Sequence, residues 1–243
     1  MHHKYKSVDV IRSLWVGGNI LPTIPLMSIN SFLMSGYRYE IFSYSPLANI
    51  PKNCINRDAC DIMQFDPLFV VTKGTYGKLN HAVFADLFRY EMLYRLGGWW
   101  ADTDVICLGQ LSKEDFFLQP ERDIFGRSRV NNCLIRMPPR SPLMEICLKK
   151  CRHINVSNME WGDTGPRLIT QATIDLNLDH LIAQEKLYNP VNFTEFHKLF
   201  EPGFVNSCWK IIHLWQSRWK EENIDQDGDF KSCLYSSIRE KYK

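Results

Sequence analysis

The chain has 243 residues, of which 45% are hydrophobic and 13% aromatic, and its formal net charge is +2. This much apolar material can form a sizeable core, which excludes an intrinsically disordered chain and fits one folded domain. The near-neutral charge gives no electrostatic reason to expect nucleic acid as a partner.

Apolar runs and cysteines set the expected environment of the protein. No stretch reaches the roughly 18 consecutive apolar residues of a transmembrane helix, and the start, MHHKYKSVDV, lacks the apolar core of a signal peptide. The eight cysteines form no CxxC pair, so neither a zinc site nor a disulfide framework is indicated. We expect a soluble, cytoplasmic protein with reduced thiols and no transmembrane segment, unless an anchor lies outside this sequence.

The first elements predict a βαβ unit. Residues 8–16 (VDVIRSLWV) mix apolar and β-branched residues and run into the turn residue Gly17, which is typical of a strand. A helix is predicted over 25–36, and residues 37–45 alternate as a second strand. Strand, helix and strand in so short a span indicate the start of a parallel α/β sheet of the nucleotide-binding type.

The middle of the chain contains the clearest helix. A loop rich in Pro, Asn and Asp is predicted over 46–61, and a helix follows within 81–98 with Gly97 as its stop. Residues 99–108 (WWADTDVICL) are then predicted as a strand that carries a pair of acidic residues.

The remaining elements are shorter. We predict strands over 123–126 and 131–137, a helix over 141–151, and a further helix near 164–176 that Asp163 or Thr164 could cap. An aromatic run, WKIIHLWQSRW, occupies 209–219. Neither an internal repeat nor a dividing linker is visible, so residues 1–243 are predicted to form a single domain.

Asp102 and Asp104 are candidate metal ligands. Side chains two apart share one face of a strand, and in a turn after a strand both can converge on one ion. Carboxylate oxygens suit Mg²⁺ or Mn²⁺, which substrate phosphates and water usually complete. The end of a strand in an α/β sheet is also where ligands bind.

Asp86 and Arg89 are three residues apart and therefore share a helix face. They could form an ordinary surface ion pair, but their neighbours are nearly all apolar, which favours a polar cleft. In such a cleft Arg89 could hold sugar hydroxyls or phosphate, and Asp86 could accept hydrogen bonds from hydroxyls.

The run FADLFRYEMLYRLGGWWADTDVI resembles the signature of DXD-containing glycosyltransferases of family 32. That family includes yeast initiating mannosyltransferases, α-1,4-galactosyltransferases and, more distantly, the clostridial glucosylating toxins. The sequence departs mildly from the pattern at Ala85, where Ser is usual, and at Trp100, where Tyr is usual. Seven positions match in order and spacing, namely Asp86, Arg89, Leu93, Gly97, Gly98, Asp102 and Asp104.

Two further segments resemble the family more loosely. Residues 14–18 (LWVGG) resemble its first strand, which would place Trp15 and Gly17 beside the nucleotide base. An indole there would be a stacking platform, although a core tryptophan is an equal alternative. Asn131 and Asn132 resemble the family's asparagine that contacts the donor sugar or the metal, and the sequence does not choose between the two.

The C-terminal third resembles the family in two places. His213-Leu-Trp-Gln-Ser217-Arg-Trp219 resembles the segment that closes over the donor diphosphate, which implicates Ser217 and Trp219 in donor binding and His213 as a metal ligand. Alternatively, His213 could be a core histidine whose hydrogen-bonding groups all have partners. Residues 162–166 (GDTGP) resemble the family's Gly-Pro segment, which makes Asp163 a candidate sugar or acceptor contact, although a helix cap explains it equally well.

The resemblance implies an α/β protein with the GT-A type glycosyltransferase fold and a Rossmann-like nucleotide-binding half. It implies metal-dependent, retaining transfer of a hexose from a nucleotide sugar, with a UDP-hexose favoured and GDP-mannose as the alternative. Asp104 would bind Mn²⁺ (or Mg²⁺) directly, and Asp102 would bind it through water or touch the ribose. Asp86, Arg89 and Asp163 are the candidate catalytic residues, and the acceptor could be a glycan, a glycolipid or a protein.

Two other classes stay open at this point. A non-catalytic nucleotide- or carbohydrate-binding relative could keep the fold, although binding a sugar alone would not need the acid pair. An Asp-x-Asp phosphatase of the haloacid dehalogenase type carries its motif after the first strand, followed two residues later by Thr or Val. Here the motif begins at residue 102 and Ile106 occupies that position, which disfavours this class.

Overall fold

The computed structural model describes residues 9–66, 81–154, 159–160 and 162–243. Residue 8, the predicted start of the first strand, lies outside them. Seven α-helices are present within these ranges, together with short 3-10 helices. The α-helices are α1 (Thr23–Met34), α2 (Ala82–Leu96), α3 (Pro142–Arg152), α4 (Pro166–Asp175), α5 (Glu185–Tyr188), α6 (Gln216–Glu221) and α7 (Leu234–Tyr242), and the 3-10 helices are Ala59–Asp61, Asp179–Leu181 and Phe193–Phe200.

Eight strands of the described chain form two sheets. They are β1 (Val10–Trp15), β2 (Arg38–Ser43), β3 (Cys54–Asp58), β4 (Gly98–Ala101), β5 (Val105–Cys107), β6 (Phe117–Arg122), β7 (Ser128–Met137) and β8 (Ile211–His213). The larger sheet has the order β3-β2-β1-β4-β7-β6, and β5 pairs with β8. Strands β1 to β4 are parallel, whereas β7 is antiparallel to both β4 and β6.

Both faces of the larger sheet are covered, which explains the tryptophan pair on β4. Neighbouring side chains on a strand point to opposite faces. Trp99 packs in the cluster that contains α1, Trp100 packs in the cluster formed by α2, α3 and α4, and both are buried. A central strand buried on both sides has a continuous apolar sequence in place of an alternating one.

Several predicted elements are confirmed. The βαβ unit is present because β1 and β2 are parallel neighbours joined by α1. The long second helix, the strand within 131–137 and the helix within 141–151 also occur, with ends that differ by up to three residues. Among the described residues, no helix has the length and apolar character needed to cross a membrane.

Four local predictions are wrong. The loop predicted over 46–61 contains β3, whose polar sequence CINRD is that of a half-exposed edge strand. Residues 123–126 are the turn between β6 and β7, because the Asp123 side chain accepts from the N–H groups that follow it. The segment 99–108 is two strands in different sheets. The N-cap residue of α4 is Gly165, and no side chain caps the helix, so the caps predicted at Asp163 or Thr164 are wrong.

Candidate active site

The candidate site lies at the edge of the larger sheet where the strand order reverses. From β1 the sheet extends to β2 and β3 on one side and to β4 on the other. Because these strands are parallel, their carboxyl ends meet at one edge, here called the carboxyl edge. Trp15 ends β1 and Asp102 directly follows β4. Open α/β sheets bind their ligands in the crevice at such a reversal.

The acid pair occupies a tight turn between β4 and β5. The Asp102 N–H donates to the carbonyl of Cys133 on β7 at 2.7 Å, and the Leu214 N–H donates to the carbonyl of Asp104 at 2.9 Å. Neighbouring strands therefore hold this turn from both sides. The two carboxylates therefore project from a turn whose backbone is fixed, which is one of the two arrangements predicted from the sequence.

His213 joins the two carboxylates to form what we call the metal trio. One ligand atom from each of Asp102, Asp104 and His213 lies within 4.8 Å of the others. His213 ends β8, and its Nε2 is 3.2 Å from Oδ1 of Asp104 because β8 pairs with β5. After His213, Trp215 has a left-handed backbone (φ 55°), which turns the Gln216 N–H back onto Oδ2 of Asp104 at 2.9 Å.

Neighbouring groups shift the pKa values within the trio in different directions. Burial outweighs the nearby Arg89 and raises the pKa of Asp102 to about 6. Burial also acts on Asp104, but the His213 imidazole and the Gln216 N–H outweigh it and hold the pKa of Asp104 below its ordinary value. Burial would lower the pKa of His213, yet Cys133 and Asp104 hold it well above its ordinary value.

The chemistry of the trio fits a divalent cation. Two carboxylates and an imidazole are a donor set suited to Mn²⁺ or Mg²⁺. Oδ1 of Asp102 accepts from the Trp100 indole at 2.7 Å. Nδ1 of His213 is buried without a hydrogen-bond partner within the described chain. Buried polar atoms are rarely left unpaired, so this nitrogen is consistent with a bound ion or its water.

Binding of Mn²⁺ is expected to weaken as the pH falls. Metal ligands must be deprotonated, so protons on Asp102 and on His213 compete with the ion, and both act in the same direction. Below the pKa of Asp102, about 6, we expect the affinity to fall at least about tenfold per pH unit. Calorimetric titration with MnCl₂ across the mildly acidic range measures this. An affinity independent of pH would contradict the assignment of these two side chains to the ion.

Arg89 lies between the metal trio and Asp86. Its Nη2 is 3.1 Å from Oδ1 of Asp102 and 3.4 Å from Oδ1 of Asp86, and its Nη1 donates to the carbonyl of Asn132 at 2.5 Å. The guanidinium also lies over the Trp100 ring, 5.1 Å from its centroid. At 4% exposure Arg89 is a buried cation, so Asp86 and Arg89 form a buried ion pair and not a surface one.

Asp86 is held by two residues from distant parts of the chain. Asn132 Nδ2 donates to Oδ1 of Asp86 at 2.7 Å, and the Thr164 hydroxyl donates to Oδ2 at 2.8 Å. Gly165 packs so closely that a Cβ there would lie 3.1 Å from Oδ2 of Asp86. Burial nevertheless raises the pKa of Asp86, against the opposing effect of Arg89. Sequence reasoning missed Thr164, although the Gly-Pro segment that contains it was recognised.

Replacing Thr164 with valine is expected to slow the reaction of this site. Valine keeps the shape but removes the hydroxyl that orients Asp86, and partners of this kind typically contribute about 10- to 100-fold in activity. For the reaction expected from the sequence, cleavage of a nucleotide-sugar donor, we predict that kcat falls by roughly tenfold and that Thr164→Ser restores it. Thr173→Val is the matched control, since Thr173 is also a buried threonine but donates only within α4. Equal rates for Thr164→Val and the wild type would contradict this role.

Trp15 lines a small cleft at the carboxyl edge. Its indole N–H donates to the carbonyl of Gly17, which fixes the ring against the turn. The ring is partly exposed, and the cleft has a volume of about 130 Å³. It is bounded by residues that follow β1 and β2, namely Trp15, Val16, Gly18, Asn19, Ser43, Tyr44 and Ser45. A stacking role for Trp15 fits this position.

The two asparagines of β7 point in different directions. Asn132 faces Asp86, as described above, whereas the Asn131 side chain donates to the buried carboxylate of Glu121 on β6. The pairing of β6 with β7 is irregular between Leu118 and Gln119, and such bulges redirect side chains. Asn132 is therefore the asparagine that lies with Asp86 and Arg89, and Asn131 supports Glu121.

The side-chain contacts of Asp163 and Trp219 are with residues outside the cluster around Asp86 and the metal trio, and Ser217 follows Gln216, whose N–H contacts Asp104. Asp163 is 3.2 Å from the Arg167 guanidinium and accepts from the Glu160 N–H at 2.8 Å. Trp219 is 1% exposed and packs in an aromatic cluster with Phe200, Phe230 and Tyr235, so a donor contact would require it to move. Ser217 is exposed on α6. The roles predicted for these residues stay predictions.

Comparison with known proteins agrees with this geometry. Residues 64–149 match the family described as "Capsular polysaccharide synthesis protein". Human alpha-1,4-N-acetylglucosaminyltransferase is 22% identical over 193 residues, which cover 69% of this chain and 51% of that protein. An uncharacterised Arabidopsis thaliana protein is 24% identical over 164 residues, which cover 64% of this chain and 23% of that protein. The chain therefore spans about half of the first relative and about a quarter of the second.

A solved structure shows the same fold. The structure titled "PaToxG Glycosyltransferase" has a TM-score of 0.50 and 18% identity, and the match covers 70% of this chain and 69% of that chain. The predicted GT-A type α/β fold is confirmed. The matched family and the human relative agree with the glycosyltransferase family 32-like resemblance noted in the sequence.

Proposed function

We propose that the protein transfers a hexose from a nucleotide sugar to an acceptor hydroxyl, in a metal-dependent reaction that retains the anomeric configuration. The observation that carries this proposal is the metal trio at the reversal of the sheet, directly beside the buried Arg89. A diphosphate–metal complex needs such a grouping, whereas a site that only packs or only binds sugar does not. The glycosyltransferase names of the human relative and of the similar solved structure support it.

The trio would hold the metal. Asp104 and His213 would bind Mn²⁺ (or Mg²⁺) directly, and Asp102 would bind it through water or contact the ribose. When bound, the ion would act as a Lewis acid that offsets the charge developing on the departing nucleoside diphosphate. The Gln216 N–H keeps the Asp104 carboxylate in one orientation, so the ligand does not need to reorganise during the reaction.

The neighbouring cluster would hold the sugar. Arg89 stays charged because Asp102 and Asp86 outweigh the effect of burial and raise its pKa. It can donate to sugar hydroxyls or to the β-phosphate, while Asp86, oriented by Asn132 and Thr164, can accept from hydroxyls. At the other end of the crevice, Trp15 would stack on the nucleotide base. In this arrangement the sugar would lie beside Asp86 and Arg89, next to the metal trio.

The proposed chemistry takes place on one face of the sugar. The bond between the anomeric carbon and the leaving phosphate oxygen breaks, and a bond to the acceptor oxygen forms on the same side. The acceptor proton passes to the leaving phosphate, so no protein carboxylate has to become covalently attached. This agrees with the two buried carboxylates near the trio, because Asp86 is engaged by Thr164 and Asn132, and Glu121 is engaged by Arg129 and Asn131.

We propose a UDP-hexose as donor, with GDP-mannose as the alternative. The name of the human relative adds UDP-N-acetylglucosamine to the donors worth testing. The acceptor is proposed to be a glycan, a glycolipid or a protein, and the capsular polysaccharide match favours a growing polysaccharide. We also propose that residues 1–243 form a single domain and that the protein is cytoplasmic.

Release of the free nucleotide from a panel of donors tests the function. UDP-glucose, UDP-galactose, UDP-N-acetylglucosamine and GDP-mannose are incubated with Mn²⁺ or with EDTA, without an acceptor. We expect slow hydrolysis of one donor that EDTA abolishes. Thermal stability measured with Mn²⁺ and each nucleotide serves as a second readout. If no donor is cleaved and no nucleotide shifts the stability in a Mn²⁺-dependent way, the proposed function is wrong.

A non-catalytic relative is the second candidate. It would bind a nucleotide or carbohydrate at the same edge, through Trp15 and Arg89, but would not cleave it. The same experiment separates the two, because such a protein would show a stability shift with nucleotide and no release. The intact pair Asp102 and Asp104 is the observation that favours the enzyme.

A further inference from the structure

The turn between β6 and β7, here called the hairpin tip (residues 123–127), exposes two large apolar side chains. Ile124 is 69% exposed and Phe125 is 74% exposed, and they are consecutive in the chain. Scattered exposed apolar residues are ordinary, but turns are normally built from Gly, Pro, Asn, Asp and Ser. Two adjacent large apolar residues at the tip of a turn therefore call for a physical explanation.

The tip is an ordered turn that holds both side chains outward. The Asp123 carboxylate accepts from the N–H groups of Phe125 at 2.8 Å and of Arg127 at 2.9 Å. The Asp123 N–H donates to the carbonyl of Arg127 at 3.0 Å, which closes the turn. The Arg127 guanidinium lies 5.0 Å from the centroid of the Phe125 ring. The exposed pair is thus presented by a preformed scaffold.

The tip projects from the same edge as the candidate active site. β6 runs in the same direction as β4, because both are antiparallel to β7. Its last residue, Arg122, therefore lies at the carboxyl edge, where Asp102 follows β4. The tip extends from this edge beside the strand that carries Asn132.

We propose that the hairpin tip inserts into a lipid surface and seats the protein with its active-site edge towards that surface. The size of the exposed pair favours lipid over protein. One aromatic side chain covers about 150–250 Å², so two large side chains fall well short of the roughly 800 Å² that each partner buries in a typical protein interface. A lipid interface sets no such minimum area, since binding there scales with the apolar area that is buried, and a small area gives weak, reversible insertion.

Arginines flank the apolar pair, and each of them is paired with a carboxylate. The segment 121–129 (ERDIFGRSR) carries three arginines and two acidic residues. Arg122 and Arg127 have side chains 55% and 72% exposed, in ion pairs at the rim of the tip. Long side chains of this kind can lie along an apolar surface while their charge stays with water and lipid phosphates.

Lipid binding does not depend on the proposed transferase activity. If that activity holds, the orientation of the tip favours an acceptor held at the lipid surface, either a glycolipid or a growing polysaccharide carried on lipid, because it would be presented at the face that carries the site. This extension rests on the proposed function, whereas insertion of the tip itself can be measured without any reaction.

Co-sedimentation with vesicles tests the proposal. Vesicles of phosphatidylcholine alone and of phosphatidylcholine mixed with phosphatidylglycerol are incubated with the full chain. We expect the wild type to bind both, and more tightly with the anionic lipid. The double variant Ile124→Ser/Phe125→Ser is expected to lose more than about tenfold in partitioning, while thermal stability and metal-dependent donor cleavage stay as in the wild type.

Phe204→Ser is the matched control. Phe204 is 89% exposed and lies in the segment before β8. The first residue of β8 pairs with Cys107, which is at the end of β5 farther from Asp104. We expect this variant to bind vesicles like the wild type. The proposal is overturned if the wild type binds neither vesicle, if the double variant binds as well as the wild type, or if Phe204→Ser lowers binding equally.

Discussion

Replacing Asp104 with asparagine is expected to abolish most Mn²⁺-dependent donor cleavage, by a factor on the order of 10²–10³ or more. Asparagine keeps the shape and can still accept from the Gln216 N–H, which lies 2.9 Å from Oδ2 of Asp104. It carries no charge, however, so the metal would lose its main anionic ligand and His213 would lose its charged neighbour. The initial rate of nucleotide release, with a parallel titration of Mn²⁺, measures the effect.

The design of this test separates loss of the metal from loss of the fold. Asp175→Asn is the control, because Asp175 is a half-exposed carboxylate on α4 that is 3.6 Å from Lys150. It should leave both the rate and the Mn²⁺ affinity unchanged. An Asp104→Asn protein that cleaves the donor at the wild-type rate would remove Asp104 from the metal site. Unchanged thermal stability without metal would show that any loss is chemical.

Replacing Arg89 with alanine is expected to destabilise the protein by about 3–5 kcal/mol in the free energy of unfolding, and to abolish donor cleavage. The side chain is 5% exposed and is the cation between Asp86 and Asp102. Its removal leaves two buried carboxylates without their counter-ion, and also leaves the carbonyl of Asn132 without its donor. Urea denaturation at neutral pH measures the loss.

The pH dependence of this loss has a definite sign. Arg89 lowers the pKa values of Asp86 and Asp102 in the folded protein, against the opposing effect of burial. Without Arg89 both pKa values rise, so the carboxylates take up protons at a higher pH. We therefore expect the difference between the variant and the wild type to shrink as the pH falls into the mildly acidic range.

Two further variants are compared with Arg89→Ala. Arg95→Ala removes a half-exposed arginine of the same helix, 2.5 Å from Glu91, which keeps its ion pair with Arg152, so this variant should lose clearly less stability than Arg89→Ala. Arg89→Lys keeps a charge but not the planar fork that reaches Asp86, Asp102 and Asn132, so we expect intermediate stability and low activity. If Arg89→Ala were as mild as Arg95→Ala, Arg89 would not be the counter-ion of the cluster.

The parts of the site that could be predicted are determined by residues close together in the sequence. The apolar pattern of α2 ends at Gly97, which has φ of 63° and would place a Cβ 2.6 Å from Pro139, so only glycine fits there. The acid pair then follows a short strand. Both features lie within one stretch of chain, which is why helix, turn and carboxylates could be inferred together.

The partners of these residues could not be inferred, because they come from distant positions. Asn132 is 46 residues and Thr164 is 78 residues from Asp86. The family resemblance pointed to Asp163 in this segment, whereas the hydroxyl of its neighbour Thr164 contacts Asp86. Asn131 and Asn132 were also inseparable in the sequence, since only the pairing of β7 decides which side each amide faces.

The pairing of β5 with β8 also fixes the order in which the site can be assembled. Asp104 and Gln216 are 112 residues apart, and the N–H of the later residue orients the carboxylate of the earlier one. A ribosome-bound chain that ends before β8 can already contain α2, Arg89 and the acid pair, but it lacks His213. Such a nascent chain would have no complete cation site, so loading with metal would be postponed until β8 has been synthesised and has paired with β5.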